Sequence, residues 1–303
     1  MPVVERGTCF SPTRPMSPAG IDAFILAAGR GMRARPLSLV RPKPLFPLGN
    51  VPLIRLLADQ LVQWGVNRTF VNLYYRGNEI RHHLRDVDRI KFVEENSLSG
   101  SRILASPRGG VCSPMLVVNG DVFMQIPLDE MWREYKRFSL DGVLLVRPRT
   151  SASYSAVDAK SGWYRGIRPD LREGDRMYCG VGLFSQKFLA SIRHGSFFHS
   201  LDGSAFRVRL LEYGGIWLDL GTPALYHRAQ FDYLEYAGLA ESAAWSGRSR
   251  IEKAADLERC IIWDDVEIGA HTHLVQTIVT DGVRLAGTVA RRRVITRDTN
   301  VPL

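Results

Sequence analysis

The sequence predicts an α/β protein: a mainly parallel sheet with helices on both faces, followed by a short left-handed parallel β-helix. Three observations carry this expectation. Apolar strand-like runs alternate with amphipathic helical ones from Ile21 to about Val146. A glycine loop interrupts the chain directly after the first apolar run. Near the C-terminus, apolar positions recur at a 17-residue interval.

The elements follow in order. Ala23–Ala28 reads as a buried strand, and Val51–Trp64 has helical spacing through Leu53, Leu56, Leu57 and Leu61 up to Gly65. Thr69–Tyr74 and Ile90–Val93 read as strands on either side of a short helix over Asn78–Leu84. Met115–Val118 is a strand running into Asn119-Gly120-Asp121, followed by a helix from about Leu128 to Phe138 and a strand over Gly142–Val146. This succession argues for parallel strands covered by helices, a Rossmann-like arrangement. Short strands are expected at Trp163–Ile167, Tyr178–Phe184, Arg207–Leu211 and Ile216–Leu218, then a long helix from Pro223 to about Tyr236. In the tail, Ile261–Gly269 aligns with Ile278–Ala286, and Ile251, Ile268 and Leu285 keep the interval, as do Leu257 and Leu274. Apolar residues every five or six positions suit hexapeptide coils, with two ordinary hairpins as the alternative. The expected organisation is a flexible extension over 1–20, a main domain over 21–240 and a β-helix tail over 250–295.

Composition narrows the class. The chain has 303 residues, 45% hydrophobic and 10% aromatic, enough for a well-buried core. Its net charge is +9, with arginine supplying 34 of the 40 basic residues. Such a field attracts phosphorylated substrates; the basic residues are scattered and no nucleic-acid module is visible. Cys9, Cys112, Cys179 and Cys260 form no CxxC pair, which argues against zinc or a disulfide framework and fits a cytoplasmic protein. His271 and His273 are too closely spaced for the usual helical ligand pair. No run is long enough to span a bilayer, and the proline-bearing first 20 residues lack the apolar core of a signal peptide.

The chemistry begins at Leu26-Ala27-Ala28-Gly29-Arg30-Gly31-Met32-Arg33, closed ten residues later by Pro42-Lys43-Pro44. Glycines let backbone amides approach a phosphate, and a loop of exposed amides makes an anion-binding concavity. Arg33 adds a fork of donors and Lys43 a movable point charge, a set suited to a polyphosphate. The loop also fits the dinucleotide fingerprint G-x-G-x-x-G/A. That motif needs a helix to open within it, which Pro36, Pro42, Pro44 and Pro47 oppose, and no acidic residue ends a second strand about 20 residues on.

The run Leu26 to Leu45 resembles the sugar-phosphate nucleotidyltransferase pattern LAAGxGxRxxPLTxxxPKPL, with Ser38 in place of threonine. Leu116-Val117-Val118-Asn119-Gly120-Asp121 and Trp217-Leu218-Asp219-Leu220-Gly221-Thr222-Pro223 resemble the same family's xVxNGD and WxDxGTP motifs. The resemblance implies transfer of a nucleotidyl group from a nucleoside triphosphate to a sugar 1-phosphate, with release of pyrophosphate. It makes Asp121 and Asp219 ligands of Mg²⁺, which prefers one or two protein carboxylates and fills its shell with phosphate and water. A lone aspartate after a strand also serves as a helix cap or turn residue. The amides of Gly29, Gly31 and Met32 and the Arg33 guanidinium would hold the β- and γ-phosphates, and Lys43 the α-phosphate and the sugar phosphate. Leu26, Ala27 and Ala28 would lie against the base, with Glu94 and Ser99 contributing further contacts to the nucleotide. Gly180, in Tyr178-Cys179-Gly180-Val181-Gly182-Leu183-Phe184, and Asn119 would face the sugar; the same segment also reads as an ordinary buried strand.

Two departures stand out. Leu98-Ser99-Gly100-Ser101-Arg102 replaces LGTAG, and Ile167-Arg168-Pro169 replaces EKP. Either the sugar is unusual, for instance acidic and paired with Arg102 or Arg168, or catalysis has weakened. The tail with its WDxVxIG and DGV coils most resembles that of mannose-1-phosphate guanylyltransferases, which favours GTP and allows a homo-oligomer contact through the tail. The alternative is a non-catalytic regulatory or nucleotide-sugar-sensing homologue.

Overall fold

The computed structural model describes residues 20–95, 114–168, 170, 172–192, 205–239 and 243–303, excepting the Trp245 side chain. Ser99, Arg102, Cys9, Cys112 and the predicted extension up to residue 19 lie outside this set. Among the described residues, one compact unit comprises 20–29 and 57–217, and the other comprises 30–56 and 218–303.

The first unit is built on nine strands: β1 Asp22–Leu26, β2 Thr69–Leu73, β3 Ile90–Glu94, β4 Met115–Asn119, β5 Gly142–Pro148, β6 Ala156–Lys160, β7 Trp163–Arg168, β8 Arg176–Phe184 and β9 Val208–Glu212. The helices are α1 Leu53–Gln63, which begins in the other unit, α2 Gly77–His83, α3 Leu128–Phe138 and α4 Gln186–Ser191. The strands form one sheet in the order β3-β2-β1-β4-β8-β5-β9-β7-β6. β3, β2, β1 and β4 run parallel, in register from Ala23 opposite Thr69 to Leu26 opposite Asn119. Their near-continuous apolar runs are what a strand buried on both faces requires.

The sheet is mixed beyond β4, where the sequence predicted a mainly parallel one. β8 runs antiparallel to both β4 and β5, while β9 is parallel to β5. β6 and β7 form a hairpin whose two turn residues, Ser161 (φ 53°) and Gly162 (φ 78°), are left-handed, the geometry that matches strand twist. Apolar alternation reveals a strand but not its direction, so β8 was readable as a strand only. Because β8 opposes both its neighbours, the carboxyl ends of β4, β5 and β9 share one sheet edge with those of β1, β2 and β3. Ligands of α/β sheets bind beyond that edge.

Phe24, Phe70, Met115, Val117, Leu144, Val146, Tyr164, Phe184 and Phe188 form the core on one face of the sheet. Asp22, fully buried at the start of β1, is held by Arg68 Nη2 at 2.6 Å and Asn67 Nδ2 at 3.1 Å, so its charge is compensated.

In the second unit, helix α5 Pro223–Tyr236 precedes a column of parallel coils. Ala243–Trp245, Cys260–Ile262, Ile278–Val279 and Arg293–Ile295 stack in parallel as one wall. Arg250–Ile251, Glu267–Ile268 and Arg284–Leu285 make a second wall, and Asp256–Glu258, His273–Val275 and Val289–Arg291 a third. Hairpins are thereby excluded for these strands. The predicted interval is the register itself: Ile251 lies opposite Ile268, and Ile268 opposite Leu285. Asn300–Pro302 folds back antiparallel on Arg293–Ile295 and covers that edge.

His227 on α5 donates from Nε2 to the carbonyl of Arg259 at 2.8 Å. Burial lowers its pKa below the ordinary value, with the nearby Arg259 charge acting in the same direction. The unfolded chain therefore takes up a proton first as pH falls. This contribution to stability is complete above about pH 6.5 and is lost as pH drops from there through the depressed folded value. Urea midpoints measured from pH 7.5 to 5 should decline more steeply in the wild type than in His227→Gln, which keeps a donor but cannot titrate. Parallel curves would assign the pH dependence to other groups.

Candidate active site

Directly after β1, the Ala27 amide donates to Asn72 Oδ1 at 2.5 Å, and Asn72 Nδ2 donates to Glu95 Oε1 at 2.6 Å. Asn72 and Glu95 are 1% and 7% exposed, so this chain of hydrogen bonds fixes the start of the glycine loop from beneath. Burial pushes the Glu95 carboxyl above its ordinary value, against the hydrogen bond from Asn72. Glu94, predicted to contact the base, is exposed at the end of β3 and paired with Arg81. Sequence reasoning passed over Asn72 and Glu95. The available signal was a polar residue inside the apolar run Phe70-Val71-Asn72-Leu73.

The turn after β4 is joined to the same loop. The Gly120 amide donates to the Leu26 carbonyl at 2.9 Å, and a Cβ on Gly120 would lie 2.7 Å from that oxygen. Only glycine permits this approach, which leaves Asp121 half-buried at the carboxyl edge of the sheet. Gly180, at φ 90°, sits where β8 is irregular, and a Cβ there would come within 3.1 Å of Asn119 Cβ. The two residues assigned to the sugar are thus brought together.

Trp217 Nε1 donates to the Cys179 carbonyl at 2.9 Å, with Tyr154 edge-on and Arg147 stacked on the Trp217 ring. Burial raises the Cys179 thiol to about 12, which leaves it protonated and unreactive. Arg168 is held by Asp170 at 2.9 Å, by Asp158 at 3.5 Å and by Asp175. Its guanidinium is thus committed to an ion network within the sheet unit instead of being presented to an acidic sugar.

In the second unit, Gly31 is left-handed (φ 61°), and a Cβ there would lie 3.1 Å from Ser38 Cβ and 3.5 Å from Lys43 Cβ. The loop therefore closes on Lys43 at a glycine. Met32 and Arg33 are exposed on the following turn, while Lys43, 6% exposed, opens a turn between Pro42 and Pro44. Asp219, 8% exposed, ends a short strand, and its carboxylate oxygens occupy the space a Cβ on Gly221 would need, at 2.9 and 3.0 Å. Thr222 then caps α5, accepting from the Leu225 amide at 3.2 Å, with Pro223 in the first turn. Gly221, Thr222 and Pro223 thus each have a local reason for their identity. Asp121 and Asp219 belong to different units. Among the described residues no group of three or more His, Cys, Asp or Glu gathers, and no helix is long and apolar enough to cross a membrane.

Residues 22–156 match the family model for nucleotidyl transferases. The chain is 26% identical over 237 residues to the catalytic subunit beta of mannose-1-phosphate guanylyltransferase from Xenopus tropicalis, covering 71% of this chain and 65% of that protein. It thus spans slightly less than two thirds of that relative. Mannose-1-phosphate guanylyltransferase 1 from Arabidopsis thaliana is 28% identical over 303 residues, covering 90% of this chain and 82% of its own length. Among solved structures, HddC from Yersinia pseudotuberculosis has the same fold, with a TM-score of 0.59 at 21% identity over 70% of this chain and 99% of that one. With the glycine loop, the Asn119-Gly120-Asp121 turn and the Asp219 motif in one chain, these matches identify residues 22–156 as a nucleotidyl transferase domain and make the chain similar to sugar-phosphate nucleotidyltransferases.

Proposed function

We propose that the protein joins a nucleoside triphosphate to a sugar 1-phosphate, with GTP and mannose 1-phosphate as the favoured pair, and releases pyrophosphate. The observation that carries this reading is the Gly120 turn: it ties the nucleotide loop to the strand end bearing Asp121 through a contact only glycine allows. An oxygen of the sugar phosphate attacks the α-phosphorus, and the bond from that phosphorus to the bridging oxygen breaks as pyrophosphate leaves. Such transfer needs positioning and charge neutralisation more than covalent help from the protein.

In this reading the amides of Gly29, Gly31 and Met32 and the Arg33 guanidinium hold the leaving pyrophosphate. Lys43, stiffened between two prolines, draws the α-phosphate and the sugar phosphate together. Leu26, Ala27 and Ala28 lie along the base, with Glu94 and Ser99 as further contacts to the nucleotide; Asn119 and Gly180 face the sugar. Asp121 and Asp219 supply carboxylate oxygens, hard donors whose chemistry fits Mg²⁺ completed by phosphate and water. When bound, that ion adds positive charge against the charge developing on the transferred and leaving phosphates. The tail pattern supports a left-handed hexapeptide coil and a homo-oligomer contact, and the cysteine usage supports a cytoplasmic protein. Ile167 in place of the EKP glutamate, together with the engagement of the adjacent Arg168 by three aspartates, favours one second reading: a non-catalytic homologue that senses nucleotide-sugars.

Pyrophosphate release measured with Mg²⁺ over four nucleoside triphosphates and a panel of sugar 1-phosphates should single out GTP with mannose 1-phosphate. Activity with another pair would reassign the substrates. Silence across the panel, with nucleotide still bound, would favour the sensing homologue.

A further inference from the structure

Arg41, two residues before Lys43, is held by two aspartates from successive coils of the tail. Its Nε donates to Asp281 Oδ2 at 2.6 Å and its Nη2 to Asp264 Oδ2 at 2.5 Å, with a further bond to Asp281 Oδ1. The guanidinium also stacks on Trp263, 5.0 Å from the ring centre. The side chain is only 14% exposed, so these are partly desolvated, charge-assisted contacts and not solvated surface pairs.

The two carboxylates are themselves fixed. Asp281 Oδ1 accepts from the Asp264 amide at 3.0 Å, and Asp264 Oδ1 accepts from Ser246. They lie 17 residues apart, at equivalent points of adjoining coils, so two like charges are stacked and Arg41 bridges both. Burial works to raise the Asp264 carboxyl, yet the Ser246 hydrogen bond and the Arg41 charge leave it below its ordinary value.

A second attachment lies beyond Lys43. Phe46 packs against Trp263 and Tyr226, with ring centres 5.4 and 5.1 Å away. Trp263 Nε1 donates to the Tyr226 hydroxyl at 3.0 Å, and that hydroxyl donates to the Pro47 carbonyl at 3.0 Å. Lys43 therefore sits on a short, proline-stiffened span whose two ends rest on the same tryptophan.

We infer that Asp264 and Asp281 are positioning residues: through Arg41 the β-helix tail holds the segment that presents Lys43 to the phosphates. The inference rests on the transferase reading for Lys43, and its own geometry stands independently of that reading. It gives the tail a part in catalysis within each chain, apart from any contact between copies.

The test uses the full-length double variant Asp264→Asn/Asp281→Asn and, keeping the tail sequence intact, Arg41→Met. Hydrogen exchange at the Leu45 and Phe46 amides, bonded to the Pro42 and Lys43 carbonyls, should accelerate about tenfold or more in both variants. Exchange at Ile261 in the tail core should stay as in the wild type. For pyrophosphate release, kcat should fall about tenfold while KM for the triphosphate changes little, because a transition-state contact is lost. Unchanged exchange at Leu45 and Phe46 overturns the clamp. Faster exchange with unchanged kcat removes its catalytic role. If the wild type transfers nothing, the transferase reading fails, and the exchange arm still decides whether the tail holds the loop. If the double variant does not fold, Arg41→Met decides alone.

Discussion

Asp121→Asn is expected to lower kcat for pyrophosphate release by about 10²–10³-fold or more while leaving the fold in place. The side chain follows β4 at the sheet edge, half-buried, in a turn whose geometry is set by backbone contacts: the register of β4 on β1 and the Gly120 amide on the Leu26 carbonyl. Asparagine has the same size and breaks neither contact, so the unfolding free energy should move by less than about 1 kcal/mol. What disappears is one hard carboxylate oxygen donor, which in the proposed reading helps to hold a divalent cation against two phosphates. Asp219→Asn should behave alike, because Gly221 already leaves its carboxylate room and asparagine fills the same space. In the proposed reading, where both carboxylates serve one Mg²⁺, the double variant should lose little beyond either single one. Rates and urea midpoints for the two single variants and the double provide the check. Retention of more than about a tenth of the wild-type rate in Asp121→Asn would remove the aspartate from the reaction.

Much of this site is legible in the sequence because backbone needs dictate it. A glycine that must adopt a left-handed angle, as at Gly31, or admit a carbonyl, as at Gly120, cannot be replaced without cost, so such glycines mark the loop and the turn by themselves. The tail is legible for a related reason: every coil rests on the one before, so Ile251, Ile268 and Leu285 repeat the same burial problem. The repeat shortens to 16 residues at the last coil, where Leu274 faces Ala290 and Ile278 faces Val294, a slip that a fixed interval does not anticipate. Asn72 stayed hidden because one polar residue in an apolar strand gives no sign of the amide it serves 45 positions away. Arg41 stayed hidden in an arginine-rich chain, since its partners are 223 and 240 residues distant. The direction of β8 depends on which neighbours it joins, and strand periodicity carries no such information.

Gly120→Ala should both destabilise the protein and suppress transfer, and Gly29→Ala separates the two effects. No left-handed angle is required at Gly120, so the obstacle is space alone. The added methyl would meet the Leu26 carbonyl oxygen at 2.7 Å and the Ile25 Cγ2 at 3.3 Å. A backbone oxygen at the end of a central strand cannot rotate away as a side chain can. Relief requires β1 and β4 to part where their hydrogen bond closes, at a cost of about 1–3 kcal/mol for overpacking. The displacement reaches Ala27, whose amide must stay within reach of Asn72, and Asp121, the next residue along. Gly29 is the opposite case: it is exposed, and among the described residues nothing lies within 4 Å of the Cβ it would gain. Alanine there should leave the urea midpoint close to the wild-type value, because the chain itself has no need of the empty space. If that space receives a phosphate, the methyl should still raise KM for the triphosphate. A Gly29→Ala protein with unchanged KM would take the phosphates away from this loop, whereas a Gly120→Ala protein of wild-type stability would mean that the Leu26 carbonyl yields more easily than a strand end should.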